Sequence, residues 1–292
     1  MSGVAVDVPR RFRWLSLPTA FRGPLAITGV VIAAAWIVIA IFAPLIAPHN
    51  PLAQNFPPAQ SPSWTYPFGT DELGRDVFSR VIYGSRVSLP IGLLLVVTAA
   101  SIGSLVGACA GYFRGVTDGA LMRLADLVFA FPPIILAMVV AAVLGRGLLN
   151  AALAIVVVAW PSYARVSRGL VLQVGDSEFV QSARLLGASS RKTLFRDVVP
   201  NVAGPIFVLM TLDLANAILL LAGLSFLGLG AQPPTAEWGS MVAEGTQYFQ
   251  WWWIGTFPGL AIFTVVLAFN FIGDSLRDVF DPRTVRRTEE GP

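Results

Sequence analysis

Residues 87–113 read VSLPIGLLLVVTAASIGSLVGACAGYF, a run of 27 residues without a charged side chain. As an α-helix rising ~1.5 Å per residue it covers about 40 Å, more than the ~30 Å hydrocarbon core of a bilayer. Gly92, Gly103, Gly107 and Gly111 give it a face of small residues suited to close packing against another helix. The run therefore reads as a membrane span, and the same pattern recurs on both sides of it. Pro24–Ala47 is charge-free, with Pro44 and Pro48 marking its end. Leu127–Gly145 is a third run, in which Pro132–Pro133 predicts a kink or a restarted helix. Gly147–Ala164 is a short fourth run that Arg165 and Arg168 extend by snorkelling. Val198–Ala236 is interrupted only by Asp213, and Gly245–Gly273 opens on Trp251–Trp252–Trp253, which reads as an interfacial aromatic belt.

Composition agrees. The 292 residues are 55% hydrophobic and 13% charged, with a mean hydropathy of +0.70, whereas a soluble domain has about a quarter of its residues charged. The fold class is all-α, a polytopic membrane protein with six transmembrane helices. Residues 1–23 form a polar N-terminal tail, 24–47 the first span and 48–86 an extracytoplasmic segment. Residues 87–274 form a five-helix core with a polar loop at 176–201, and 275–292 a polar tail. Within 48–86 the first part reads as extended, and GTDELGRDVFSRVIYGSR as a short amphipathic helix. Glu237–Glu244 reads as a polar loop. The first apolar run is too long for a signal peptide and lacks a cleavage pattern, so it is expected to remain as a span.

Six spans place both termini on one side. The segments on that side carry 16 of the 20 Lys and Arg residues, against Arg75, Arg80, Arg86 and Arg146 on the other. The positive-inside rule then puts both termini and the 176–201 loop in the cytoplasm. That loop includes EFVQSARLLGASSRKTLFRDVVPN, residues 178–201, where Phe179, Val180, Ala183 and Leu186 share one helical face. An amphipathic helix here is either an ordinary connection or a handle for a soluble partner.

Enzymatic chemistry finds little footing. One histidine, His49, builds neither a metal site nor a base–nucleophile pair, and the single Cys109 excludes an internal disulfide. Gly187–Thr193, GASSRKT, has Arg191 where a phosphate-binding loop needs glycine, and no strand precedes it. No catalytic residue, no metal site and no cofactor bound by this chain are therefore expected. Asp213 is the one acid well inside a charge-free run. It is a translocation-pathway candidate together with Asn216 on the next turn, or else a buried acid bonded to a neighbouring helix.

Four blocks resemble the C-type permease subunit of dipeptide/oligopeptide ABC importers: Gly69–Leu89, Glu178–Asn201, Leu224–Met241 and Phe257–Arg283. The resemblance implies the type I importer permease fold. It also implies a heterodimer with a B-type permease, two ATPase subunits carrying ATP and Mg, and an extracytoplasmic substrate-binding protein. The partners also include membrane lipid, and no nucleic acid. The location implied is the cytoplasmic (inner) membrane of a prokaryote. In such importers the loop pattern is Glu-Ala-Ala, three residues, Gly, then a hydrophobic residue and Pro. Here Gln181, Ser182, Ala183, Gly187, Val199 and Pro200 take those positions, with Glu178 one turn earlier. ATPase coupling thus falls to Glu178, Gln181, Ser182, Ala183, Arg184, Gly187, Arg191 and Pro200. Asp71, Arg75, Asp76, Glu237 and Trp238 are candidates for docking the binding protein or gating the pore. Cargo is left among di- and oligopeptides, glutathione, haem and nickel complexes. A secondary transporter or channel is the rival class, and it would need paired broken helices in two repeated halves.

Overall fold

The structure is a computed structural model that describes residues 23–175, 177 and 199–280. In order, the helices are α1 (Pro24–Ile41), α2 (Ala43–Ile46), α3 (Val77–Phe113), α4 (Gly115–Phe129) and α5 (Pro133–Leu144). They continue with α6 (Leu148–Gly175), α7 (Val199–Phe226), α8 (Trp238–Gln247), a 3₁₀ turn at Phe249–Trp251, and α9 (Trp253–Phe280). Among the described residues, the β content is a single antiparallel bridge between Thr70 and Asp76. Among the described residues, five helices are long and apolar enough to cross a membrane, or six spans where α4 and α5, bent by 92° at their break, are taken as one. The expected break at Pro132–Pro133 is this bend: α4 ends before Pro132, and Pro133 opens α5 in a position where a missing N–H costs nothing.

The glycine face of α3 is the seam of the bundle. α3 and α6 run parallel, with Gly103 over Trp160 and Tyr163, Gly107 over Ala164, and Gly111 over Arg168 and Val171. A Cβ on Gly107 would run into the Ala164 carbonyl, and one on Gly111 would stand 2.9 Å from the Arg168 carbonyl oxygen. Two backbones meet here, and side chains are excluded. α1 docks on α9 in the same way, through Gly29 against Ala268 and Phe271, and Trp36 Nε1 donates to Thr264 Oγ1 at 3.0 Å.

Four local expectations need correction. The amphipathic helix expected in Gly69–Arg86 is not a separate element. Asp76 accepts from the Ser79 N–H at 3.1 Å as an N-cap, and the helix then runs unbroken through Pro90 to Phe113. Its polar first turns can continue a span because Arg80, Ser85 and Ser88 are buried against protein. Glu237–Glu244 is not a loop but the cap and first two turns of α8: the Glu237 carboxylate accepts from the Gly239 and Ser240 N–H groups, both at 2.9 Å. Trp238, Met241 and Gly245 then supply its buried stripe. The tryptophan belt is divided, because Trp252 is exposed while Trp253 is buried and donates from Nε1 to the Thr70 carbonyl at 3.0 Å. The fourth span also runs on to Gly175, and Arg165 and Arg168 pair with acids on α4.

Gly107→Val should lower the thermal stability of the purified protein by about 1–3 kcal/mol, the usual cost of overpacking. Gly119→Ala, at a helical position with open space around it, should be neutral or slightly stabilising. Thermal unfolding in detergent checks both, and equal behaviour of the two variants would contradict the seam.

Candidate functional site

Two constellations stand out, one at the end of the bundle where α3 begins and one at membrane depth. The first is built on residues 47–76, an extended segment that folds back on itself. The Ala59 N–H donates to the Asp71 carbonyl at 2.9 Å, and Thr70 Oγ1 donates to the Pro57 carbonyl at 2.7 Å. Phe68 stacks on Phe257 with centroids 3.9 Å apart, which ties the segment to α9. This anchoring places Asp71, Glu72 and Arg75 beside the first turn of α3 and the last turns of α8.

There Arg75 bonds to three carboxylates: Asp71 at 2.6 Å, Glu72 at 3.3 Å and Glu244 of α8 at 3.2 Å. Arg80 reaches Glu244 at 3.1 Å and Asp71 at 3.6 Å. Arg75, Arg80 and Asp71 are each no more than 2% exposed. The three acids converge within 4.8 Å, a spacing that would suit a cation, and Arg75 already supplies one. Burial pushes the Glu72 carboxyl up from its ordinary value, with Asp71 and Glu244 adding to the effect and Arg75 opposing it. Next to this network, Asp76 accepts from Ser79 Oγ at 2.6 Å and stands 3.3 Å from His49 Nδ1. Trp238 is fully buried, donates from Nε1 to the Val81 carbonyl at 2.9 Å, and lies over Gly84.

Of the residues assigned to docking or gating, Asp71, Arg75, Asp76, Glu237 and Trp238 are thus all buried and bonded within the chain. In this conformation they hold α3, α8 and residues 47–76 together, and their docking and gating roles are still proposals. The reading of the sequence passed over Glu72, Arg80 and Glu244. Arg80 and Glu244 are 164 residues apart, and only the unusual cost of burying two arginines on one helical entrance could have signalled a distant acid.

The second constellation is a cavity of about 340 Å³ where the α4–α5 elbow faces α3, α6 and α7. Asp213 and Asn216 of α7 line it with Tyr163 of α6, and Phe129, Phe131 and Leu95 form part of its apolar wall. The elbow explains the opening: backbone that leaves helical form at membrane depth survives only against protein or beside a water-filled cavity. The structure brings Asp213 and Asn216 together as expected and adds Tyr163, which no local pattern marked.

At the far end of α3, Arg168 of α6 pairs with Asp118 of α4 through two bonds of 2.5 and 2.6 Å, and Arg165 pairs with Asp126 at 2.5 Å. Pro200 is exposed in the first turn of α7. Glu178, Gln181, Ser182, Ala183, Arg184, Gly187 and Arg191 lie outside the described residues.

Six spans, one of them broken, with polar networks at both ends and a cavity between them, are the architecture of a transport protein's membrane subunit. Comparison with known proteins places it more closely: residues 103–286 match the family described as binding-protein-dependent transport system inner membrane component. Residues 20–62 match the N-terminal TM domain of oligopeptide transport permease C. The chain belongs to the family of binding-protein-dependent transport system inner membrane components. It is 45% identical to the dipeptide transport system permease protein DppC of Escherichia coli K12 over 271 residues, 90% of each chain. It is 41% identical to the probable D,D-dipeptide transport system permease protein DdpC of the same strain over 288 residues, 97% of this chain and 96% of that one. It is 43% identical to the glutathione transport system permease protein GsiD of Escherichia coli O6:K15:H31 (strain 536) over 279 residues, 94% of this chain and 89% of that one.

Two outcomes follow from the end network and from the cap of α8. Arg75→Met leaves buried carboxylates facing one another and should cost about 3–5 kcal/mol, the usual price of breaking a buried pair. The Arg75→Met/Glu244→Gln double variant should recover part of that loss in a double-mutant cycle by thermal unfolding, and strict additivity would contradict the coupling. Burial holds the Glu237 carboxyl above its ordinary 4.5, opposed by the bonds from Gly239, Ser240, Ser225 and Ser88. A proton held more tightly by the folded chain favours folding at low pH, and that contribution is lost as pH rises from about 4.5 through the raised value. Glu237→Gln should flatten this part of the stability–pH curve measured against the wild type.

Proposed function

We propose that this chain is the transmembrane pore subunit of an ATP-driven importer that moves di- or oligopeptides across the cytoplasmic membrane of a prokaryote. The observation that carries this reading is the 41–45% identity to named dipeptide permeases over about nine tenths of both chains. A glutathione permease at 43% keeps the cargo within peptide chemistry. The partners in this reading are a B-type permease subunit forming a heterodimeric pore, two ABC ATPase subunits that bind ATP and Mg, and an extracytoplasmic substrate-binding protein. The chain itself hydrolyses nothing.

In this reading the bundle end bearing Arg114, Arg123, Arg165 and Arg168 is cytoplasmic, as the charge count requires. The Glu178–Gly187 helix lies with its apolar face in a groove of an ATPase subunit. Closure of the two ATPases moves these helices together and rocks the packed bundles between outward-open and inward-open arrangements. Gly187 lets the chain turn sharply and approach the partner, while Arg184, Arg191, Lys192 and Arg196 meet acids on the ATPase or anionic headgroups. At the opposite end, the Arg75–Glu244 network links residues 47–76 to α8 and so serves as a latch on the outer mouth.

Co-purification of the chain with a subunit carrying a complete phosphate-binding loop is the first expected result. Gly187→Trp should insert and assemble normally yet lose at least ten-fold in peptide uptake by reconstituted vesicles. Uptake at the wild-type rate would rule out the coupling role of this helix.

A further inference from the structure

The cavity at the α4–α5 elbow poses an electrostatic problem that the chain leaves open. Among the described residues, Asp213 is its one ionisable carboxylate, and no lysine or arginine lines it. Arg165 stacks on the Phe129 ring, 4.1 Å from its centroid, but its charge is taken by Asp126 at 2.5 Å. The remaining polar neighbours are neutral. Asn216 lies one turn along α7, and Tyr163 faces Asp213 from α6. Tyr163 is 1% exposed, and its hydroxyl makes no hydrogen bond of full geometry among the described residues.

The depth is central. Tyr163 is 12 residues before the end of α6 and Asp213 is 14 residues after the start of α7, which is about 18 Å and 21 Å along the two helices. A carboxylate at that depth is costly unless it meets a counter-charge or water, which is why such residues mark substrate paths. A divalent metal is a poor fit, because one carboxylate falls short of the several oxygen ligands such an ion needs. What fits is a cationic head on an apolar body: Asp213 and the Tyr163 and Asn216 side chains at one end, aromatic and aliphatic wall beyond. A volume of about 340 Å³ is within the range of ~300–1,000 Å³ for small-molecule sites. The ring of Phe131 also suits a cation.

We propose that Asp213, flanked by Tyr163 and Asn216, receives the α-ammonium group of a peptide in transit, with the apolar wall of the cavity holding its first side chain. The assignment rests on the peptide-importer reading above and makes Asp213 a cargo-contacting residue. It also distinguishes this site from the end network, where Asp71, Glu72 and Glu244 already have an arginine.

The test uses the full complex with its binding protein in proteoliposomes. Asp213→Asn should cut uptake of a free-amine dipeptide at least ten-fold while the amount of assembled complex stays within two-fold. Asp213→Glu should retain at least a third of wild-type uptake. A dipeptide with photoleucine as its first residue, irradiated during turnover, should label cavity residues of α3, α6 or α7, and Asp213→Asn should lower that label at least five-fold. Three results would overturn the assignment: undiminished uptake by Asp213→Asn, no label in the cavity, or a loss of assembly that matches the loss of uptake. The last would mean that Asp213 pairs with a cation of the second permease subunit. A wild-type complex that imports no peptide would remove the peptide-importer reading and this assignment together. Wild-type import with an indifferent Asp213→Asn would remove this assignment alone.

Discussion

The contact on which the rest of the structure depends is the backbone-to-backbone seam of α3 and α6. Lipid tails are as apolar as leucine side chains, so burial of apolar surface does not drive two spans together, and close packing has to do it. Gly103, Gly107 and Gly111 let the α6 backbone approach until no room is left for a Cβ. Ser167 Oγ adds a bond of 2.9 Å to the Ser104 carbonyl across the same seam. Everything else is placed relative to this pair. α4 is held against α6 by Arg168–Asp118 at one end, and α8 is held against α3 by Arg80–Glu244 at the other.

A rigid seam also explains why the break falls elsewhere. With α3 and α6 fixed, the span formed by α4 and α5 can bend by 92° and leave a cavity without loosening the bundle. Prolines inside the longer spans have a different effect. Pro90, Pro161, Pro205 and Pro258 sit within continuous helices, where neighbouring helices support the freed backbone groups. Pro132 and Pro133 stand together, and the second starts a new helix. Two adjacent residues that cannot donate are harder to absorb than one.

Much of this was legible from local pattern. The charge-free runs locate the five long apolar helices and α5, although the charged α4 reads as a link. Gly103, Gly107 and Gly111 identify the seam, and the proline pair identifies the elbow. The failures share a physical cause. The Arg75 network joins residues 169 positions apart, and nothing in GTDELGRDVF says whether its charges face water or one another. Composition classed Glu237–Glu244 as a loop because it contains two acids and glycine, yet one acid caps α8 and the other closes an ion network. Trp253 was assigned to an interface by its neighbours, whereas the Thr70 carbonyl draws its indole N–H inward. Polar residues in a membrane chain are ambiguous in sequence because their positions follow from partners, and those partners are distant. Tyr163 is the sharpest case, since its importance comes only from Asp213 across a helix gap.

The covalent connection between the two cavity walls gives the proposed mechanism a mechanical basis. Residues 176–198 join the end of α6 to the start of α7, and these are the helices that carry Tyr163 and Asp213. A soluble partner that grips this connection therefore acts on both walls of the cavity at nearly the same depth. α6 cannot answer alone, because the seam makes α3 move with it and Arg168–Asp118 links it to α4. Among the glycines whose surroundings are described, none on α7 meets the α6 backbone. Gly92 of α3 meets the side chains of Ile218 and Leu214, and α7 makes a backbone contact with α8, at Ala222 against Gly239. Side-chain contacts can slide where backbone contacts cannot. A force on the connection is thus expected to shift α7 relative to the α3–α6 pair, which opens or closes the cavity along the side where Asp213 stands.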